Sequence, residues 1–250
     1  MPKRTRNPLV GAFAKYRLDT TVADTGMVTP TMRRIRLVAD QPIGFPYVPG
    51  QHVRVEINDP LSVAGLLRPG ETLRTYTIWE FDPGERAIEL RAHLYDGDGI
   101  GLRWARAAAV GDRVPVWWPE GDFFTRPAPF HLFVGEETAS AAFGPMLRAL
   151  EPAARVYGVL ESAYPEHDLP MPGPHRLRRV HRHGAPAAGS AVLPTAVADL
   201  DLPAGQGAAY LAGEARTCQK IRDHLVRDRG WDRRSIKVKP FWAPGKRGLH

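Results

Sequence analysis

The sequence predicts a two-part chain, an antiparallel β-barrel followed by an open parallel α/β sheet. Three observations predict it. Up to Phe124, short runs of alternating polarity stand between Pro-Gly turns. Beyond Phe124, apolar runs take turns with helix-like segments. A hydrophobic share of 43% against 24% charged, over 250 residues, is enough for a substantial core. This grammar divides the chain into a poorly specified, partly disordered lead at 1–18, a barrel at 19–127 and an α/β part with a basic tail at 128–250.

Taken in order, the strand-like pattern starts at about Thr20. Met32, Arg34 and Arg36 alternate with Arg33, Ile35 and Leu37, and Val53, Val55 and Ile57 share one face of the next run. Such alternation marks half-buried antiparallel strands. Pro49-Gly50, Pro69-Gly70 and Pro83-Gly84 punctuate the runs, and Leu73–Phe81, Ala87–Leu94 and Arg113–Trp117 continue them. Several short strands at this spacing suggest a closed or nearly closed barrel. Trp104–Ala108 is the one helix-compatible insert expected there. In the second part, strands are expected at Phe130–Val134, Val156–Leu160, Leu177–His181 and Ala208–Ala212. Helices are expected from Gly135 to about Leu150 and from Glu214 to Arg229. Cys218, Ile221 and Leu225 form the buried stripe of the latter, and Gly230 stops it. Strands alternating with helices read as a parallel sheet.

Bulk properties narrow the function. No apolar run is long enough to cross a bilayer, so membrane insertion is not expected. The basic start, Met1 to Arg6, leads into no signal-peptide core. The single cysteine, Cys218, cannot form an internal disulfide and excludes a cysteine-ligated iron–sulfur cluster within this chain. A cytoplasmic location is expected. The net charge of +7 is concentrated at the end, where residues 216–250 carry 11 lysines and arginines against 3 acids. No nucleic-acid motif accompanies that charge, so no nucleic-acid partner is expected. The nine histidines show no helical His-x-x-x-His and no His/carboxylate triad spacing, and no protein-bound metal is expected.

The chemistry-bearing stretch runs from Arg74 to Ala105. Arg74-Thr75-Tyr76-Thr77 lies in a strand, so Arg74 and Tyr76 share one face and Thr77 takes the other. A guanidinium pairs with phosphate in bidentate fashion, and a phenol offers both a ring and a hydrogen bond. The turn Asp96-Gly97-Asp98-Gly99 feeds a helical segment at Ile100-Gly101-Leu102-Arg103-Trp104-Ala105. Helix starts bind anions through free N–H groups and the dipole. The pair is a plausible cradle for a flat, phosphate-bearing cofactor.

Together with Val28–Ile35, Gly135-Glu136-Glu137-Thr138-Ala139, Gly213-Glu214-Ala215 and Phe241-Trp242-Ala243-Pro244-Gly245, these motifs resemble the siderophore-interacting protein family. The resemblance spans about residues 20 to 248. These proteins are flavin-dependent ferric-chelate reductases of the ferredoxin-reductase-like superfamily. The resemblance implies a flavin-binding barrel, then a nicotinamide-type α/β domain. It implies FAD as cofactor, NAD(P)H or ferredoxin as donor, and a ferric siderophore as substrate. Arg74 would then meet the FAD diphosphate, Tyr76 the isoalloxazine ring and Thr77 its reactive edge. Thr75 belongs to the same flavin motif. His93 would lie near the dinucleotide, and Gly99, Ile100, Gly101 and Leu102 would bind diphosphate through backbone N–H groups. Glu137, Thr138, Ala139 and Trp242 complete the cofactor set. Lys237, Lys239, Lys246 and Arg247 would steer an anionic siderophore.

The sequence departs from the family pattern in places. Ile78-Trp79 stands where the family often has a second arginine, and Ile100-Gly101-Leu102 replaces Pro-Ala-Ser, so a hydroxyl donor is lost. Electron transfer through the flavin requires no catalytic acid or base, and none stands out. The expected activity is thus FAD-dependent reduction of chelated Fe(III) to Fe(II), with iron released in the cytoplasm. The alternatives are a flavin-free siderophore carrier and a flavin reductase with another acceptor.

Overall fold

The computed structural model describes residues 16–60 and 62–246. Arg247 and residues 1–15 of the lead lie outside the described residues.

Six antiparallel strands close into a barrel: β1 (Arg17–Thr29), β2 (Met32–Ala39), β3 (His52–Glu56), β4 (Leu73–Asp82), β5 (Ala87–His93) and β6 (Arg113–Glu120). Their order around the barrel is β1-β2-β5-β4-β3-β6, with β1 pairing β6 to close it. Inward alternation fills the interior with Val22, Ile35, Leu37, Val53, Val55, Ile78, Leu90 and Val116, all with no measurable exposure. Among the described residues there are two barrel-side helices where the sequence predicts one. A short α1 (Val63–Leu67) sits between β3 and β4, and α2 (Ile100–Ala107) follows β5. Nothing in the periodicity signals α1, because Val63, Leu66 and Leu67 remain exposed. By contrast α2 packs Ala105 and Trp104 into the barrel core. Arg33 of β2 donates to the carbonyls of Ala105 (2.9 Å), Arg106 and Ala108 (2.7 Å), capping the C-terminal end of α2.

The second lobe is a five-stranded parallel sheet built from β7 (His131–Glu136), β8 (Val156–Ser162), β9 (Arg178–His181), β10 (Ala208–Glu214) and β11 (Ile236–Trp242). The helices are α3 (Glu137–Arg148), α4 (Val192–Ala198) and α5 (Ala215–Arg227). The strand order β11-β10-β7-β8-β9 reverses direction between β7 and β10. Every residue of those two central strands is buried, as an apolar strand covered on both faces must be. The short α4 is unpredicted; it covers the sheet with Leu193, Ala196 and Val197.

Sequence alternation places Met32 on the outward face of β2 with two arginines, yet it is only 1% exposed. The second lobe covers it: Met32, Trp79 and Leu169 form one buried cluster, with Met171 against it. Trp79 lies at a register shift in β4, and its indole faces Gly144 of α3. Arg91 lies over the ring at 4.8 Å, Arg148 at 5.7 Å, and Arg148 also donates to the Trp79 carbonyl at 3.2 Å. A Cβ built at Gly144 would overlap the indole. Gly144→Ala is therefore expected to destabilise the protein by about 1–3 kcal/mol through overpacking. Urea unfolding checks this, and an unchanged midpoint would show that the two lobes do not lean on this contact.

Candidate functional site

On the barrel, α2 brings the two chemistry-bearing stretches together. Gly101 is packed so closely that a Cβ there would come within 2.8 Å of Arg74 Cγ and 3.0 Å of the Tyr76 hydroxyl. Only glycine allows this approach. The Tyr76 hydroxyl donates to the Gly101 carbonyl at 2.8 Å, and its ring packs on Trp104 at 5.2 Å between centroids. Burial pushes the Tyr76 hydroxyl well above its ordinary pKa, so it stays a donor. Arg74 donates to the carbonyls of Gly70 (2.8 Å) and Leu73 (2.7 Å) and holds no ion pair among the described residues. Burial lowers its pKa, as expected for a partly buried cation without a close counter-charge. The N-terminus of α2 is capped at Gly99 with no side-chain hydrogen bond, so its first N–H groups have no side-chain acceptor. His93, at the end of β5, stacks on Tyr95 at 6.1 Å, and its buried Nδ1 has no partner. Thr31 Oγ1 is a second buried atom without one. Burial, first of all, lowers the pKa of His93, which keeps the imidazole neutral near neutral pH.

The sheet presents a different surface at the carboxyl ends of its strands. Glu136 ends β7 and caps α3: it accepts from the Thr138 N–H at 3.0 Å, from the Thr138 hydroxyl and from Trp242 Nε1 at 3.1 Å. Glu214 ends β10 and caps α5, accepting from the N–H groups of Arg216 (3.0 Å) and Thr217 (2.7 Å). Glu161 in β8 accepts from Leu193 N–H at 3.0 Å, in the first turn of α4, and from the Ser190 hydroxyl at 2.7 Å. Glu137 pairs with Arg182 through both oxygens, at 2.7 and 2.8 Å, and accepts from Ala163 N–H at 2.7 Å. Burial alone would raise the Glu137 carboxyl; the Arg182 pair more than offsets it and holds the pKa below the ordinary value. Glu136 has no such ion pair among the described residues. Burial, and then the Glu137 charge, push it up to about 7.

Comparisons with known proteins agree with this geometry. Residues 68–123 match the family model of the siderophore-interacting FAD-binding domain, and residues 128–245 match that of the siderophore-interacting protein. The chain belongs to the siderophore-interacting protein family. Among its relatives is the ferric vibriobactin reductase ViuB of Vibrio cholerae, 25% identical over 88% of this chain and 86% of that protein. Similar solved structures include a siderophore utilization protein from T. fusca, with TM-score 0.81, 25% identity, and coverage of 94% of this chain and 95% of that one. Another is the siderophore-interacting protein SipS from Aeromonas hydrophila, with TM-score 0.74, 25% identity and coverage of 91% and 98%. Phthalate dioxygenase reductase shares the fold at TM-score 0.66 and 18% identity, over 93% of this chain and 70% of that one. The architecture is ferredoxin-reductase-like.

Within this family fold the residues singled out by sequence separate into groups. Arg74, Tyr76, Gly99, Ile100, Gly101 and Leu102 meet at α2, and Tyr95 acts electrostatically on both Arg74 and Tyr76. Thr75 is exposed opposite Arg54, and Thr77 is buried opposite His52. Glu137 and Thr138 are committed to internal bonds, and Ala139 lies in the lobe core with no exposure. These three do not join the α2 cluster by contact; Glu137 acts electrostatically on His93. Trp242 stands over Glu136. Lys237 is held by Asp122, at 3.0 Å from the carboxylate, and lies over Phe124. Lys239 makes no ion pair among the described residues and acts electrostatically on His52. Lys246 is exposed beyond β11. Ile78 is in the barrel core and Trp79 between the lobes, so neither replaces the absent arginine's phosphate contact. A concavity of about 370 Å³ beside α4, lined by Arg178, Val180 and Asp199 among others, shares no residue with the α2 cluster.

Sequence reasoning missed Arg182, Tyr95, Thr31 and Glu161. One signal was available: Gly-Glu directly precedes a helix twice, at Gly135-Glu136 and Gly213-Glu214. The raised Glu136 pKa also has a sign that can be checked. The unfolded carboxyl titrates near 4.5 and the folded one near about 7. Its contribution to stability is therefore fully present below about pH 4.5 and lost as pH rises through about 7. Glu136→Gln cannot titrate. The stability difference between wild type and this variant, from urea unfolding, is expected to fall across that window and then level off. A difference independent of pH would refute the assignment.

Proposed function

We propose that the chain is an FAD-dependent ferric-siderophore reductase, reducing chelated Fe(III) to Fe(II) so that iron is released in the cytoplasm. The observation that carries the reading is the N-terminus of α2, open to an anion and set directly against Arg74 and Tyr76 within the segment that matches a siderophore-interacting FAD-binding domain. The similarity to a ferric vibriobactin reductase supports the choice of substrate class.

The residues present fit FAD. Among the described residues Arg74 has no carboxylate partner, the first turn of α2 offers backbone N–H groups, and His93 Nδ1 and Thr31 Oγ1 are buried polar atoms without partners. Arg74 and the N–H groups of Ile100 to Leu102 would hold the diphosphate. Tyr76 is half-buried and fixed by its bond to Gly101, so it presents a rigid aromatic wall. The neutral His93 would hydrogen-bond the dinucleotide without adding charge. When bound, the flavin supplies two-electron uptake and one-electron release. Two electrons from a donor serve two ferric ions, one each. Hard-oxygen chelators hold Fe(II) weakly, so reduction releases the metal. No acid or base is needed. NAD(P)H or ferredoxin would supply the electrons.

The absorption spectrum of the purified protein, taken anaerobically, tests this. An oxidised-flavin spectrum should bleach on reduction and return on adding a ferric siderophore. A protein that takes up no flavin even when incubated with FAD, yet binds ferric chelates, would select a flavin-free carrier instead. A flavoprotein inert to every ferric chelate would select another acceptor. Arg74→Ala is expected to raise the FAD dissociation constant about tenfold or more, because a charge-assisted contact is lost. Fluorescence titration measures it; unchanged affinity would move the diphosphate elsewhere. For the substrate, Lys239 is uncommitted whereas Lys237 is paired with Asp122. Lys239→Ala should slow association of an anionic siderophore severalfold at low salt, and Lys237→Ala should do less. Stopped-flow rates against ionic strength separate the two, and the reverse order would contradict this assignment.

A further inference from the structure

Open parallel sheets of this order seat a dinucleotide diphosphate at the carboxyl ends of the strands, where the order reverses, on the N-terminus of a helix behind a glycine-rich turn. Here the reversal lies between β7 and β10. No glycine-rich turn intervenes: β7 ends at Glu136 and α3 begins at Glu137, while β10 ends at Glu214 and α5 begins at Ala215. At each helix start at least one N–H that would face a phosphate is already bonded to a carboxylate. Glu136 takes Thr138, Glu214 takes Arg216 and Thr217, and Glu161 takes Leu193 at the neighbouring helix.

The space is filled as well as the donors. Gly213 has φ +118°, and a Cβ there would come within 2.6 Å of Glu136 Oε1, so this carboxylate lies directly on the second strand's turn. Glu136, Glu137, Glu161 and Glu214 are each no more than 4% exposed. Only Arg182 among the described residues forms ion pairs with any of them, and both its pairs, with Glu137 and Glu161, are internal. A diphosphate entering here would have to displace buried acceptors and add two negative charges beside several carboxyl groups.

We propose that this carboxyl edge is closed to nucleotides: the chain's own glutamates occupy the place where the fold would hold a nicotinamide donor's diphosphate. The proposal deepens the reductase reading by stating how its donor is not held. A nicotinamide nucleotide that delivers electrons does so without its adenosine-diphosphate half being recognised by the α/β lobe. The contrast with α2, whose N-terminus no side chain caps, assigns anion binding by helix dipole to the barrel alone among these four helices.

The test is calorimetric titration of ADP-ribose and of its 2′-phosphate into the wild-type, FAD-incubated protein, with amide hydrogen exchange followed at 137–139, 193 and 215–217. The expected result is no binding tighter than about 1 mM and no change in exchange at those amides. Binding that leaves those amides unchanged places the nucleotide elsewhere and also upholds the closed edge. Binding tighter than about 0.1 mM, with altered exchange at 137–139 or 215–217, would overturn the proposal. Neither readout uses iron reduction, so a failure here is distinct from a failure of the reductase reading. If nucleotides reduce the flavin, reduced nicotinamide mononucleotide should then serve nearly as well as NADH or NADPH. A large advantage for the full dinucleotide would count against the closed edge.

Discussion

The first N–H groups of every helix need acceptors, and where this chain finds them separates its two lobes. In the α/β lobe each of the three helices meets a glutamate carried at or near the end of a strand, and every one of those carboxylates is buried. A cap of this kind stabilises a helix by about 1 kcal/mol. It also consumes the donors that make helix N-termini useful for anions. On the barrel, α2 has its opposite end fastened by Arg33 and its N-terminus left without a side-chain acceptor beside Arg74. The same physical requirement is thus met internally in one lobe and left without a side-chain acceptor in the other.

The contact between lobes depends on a mismatch of size. Trp79 fits because residue 144 is a glycine and because a register shift in β4 turns the indole outward. Met32 and Leu169 complete a small apolar patch, and Arg91 and Arg148 flank the ring. His93, at the end of β5, lies in the field of the Glu137–Arg182 pair of the other lobe.

The basic character of the chain is largely structural in origin. Arg33 satisfies the last carbonyls of α2, and Arg229 donates to Ala198 at 2.7 Å and Leu200 at 2.9 Å beyond α4. Arg182 neutralises Glu137, and Lys237 is tied to Asp122. Excess positive charge in the composition therefore overstates the free cations available to steer an anion. Among the described residues Lys239 makes no ion pair, and it acts electrostatically on His52 of the barrel.

The sequence by itself determined the two lobes and most of their elements, because period-two and period-3.6 patterns are local properties of the chain. It also brought Arg74, Tyr76 and Gly99–Leu102 to attention as a phosphate-and-ring set, since their residue types and order are local. The helix α1 escaped because Val63, Leu66 and Leu67 stay exposed, and α4 because it is only seven residues long with Pro194 inside it. Only the tertiary structure decided that Ala139 is core, that Glu137 belongs to Arg182, 45 residues away, and that Gly101 permits α2 to touch Arg74. Whether a helix start is open or closed depends on which carboxylate reaches it in space. Glu161 reaches α4 from 32 residues away, and no spacing along the chain announces that contact.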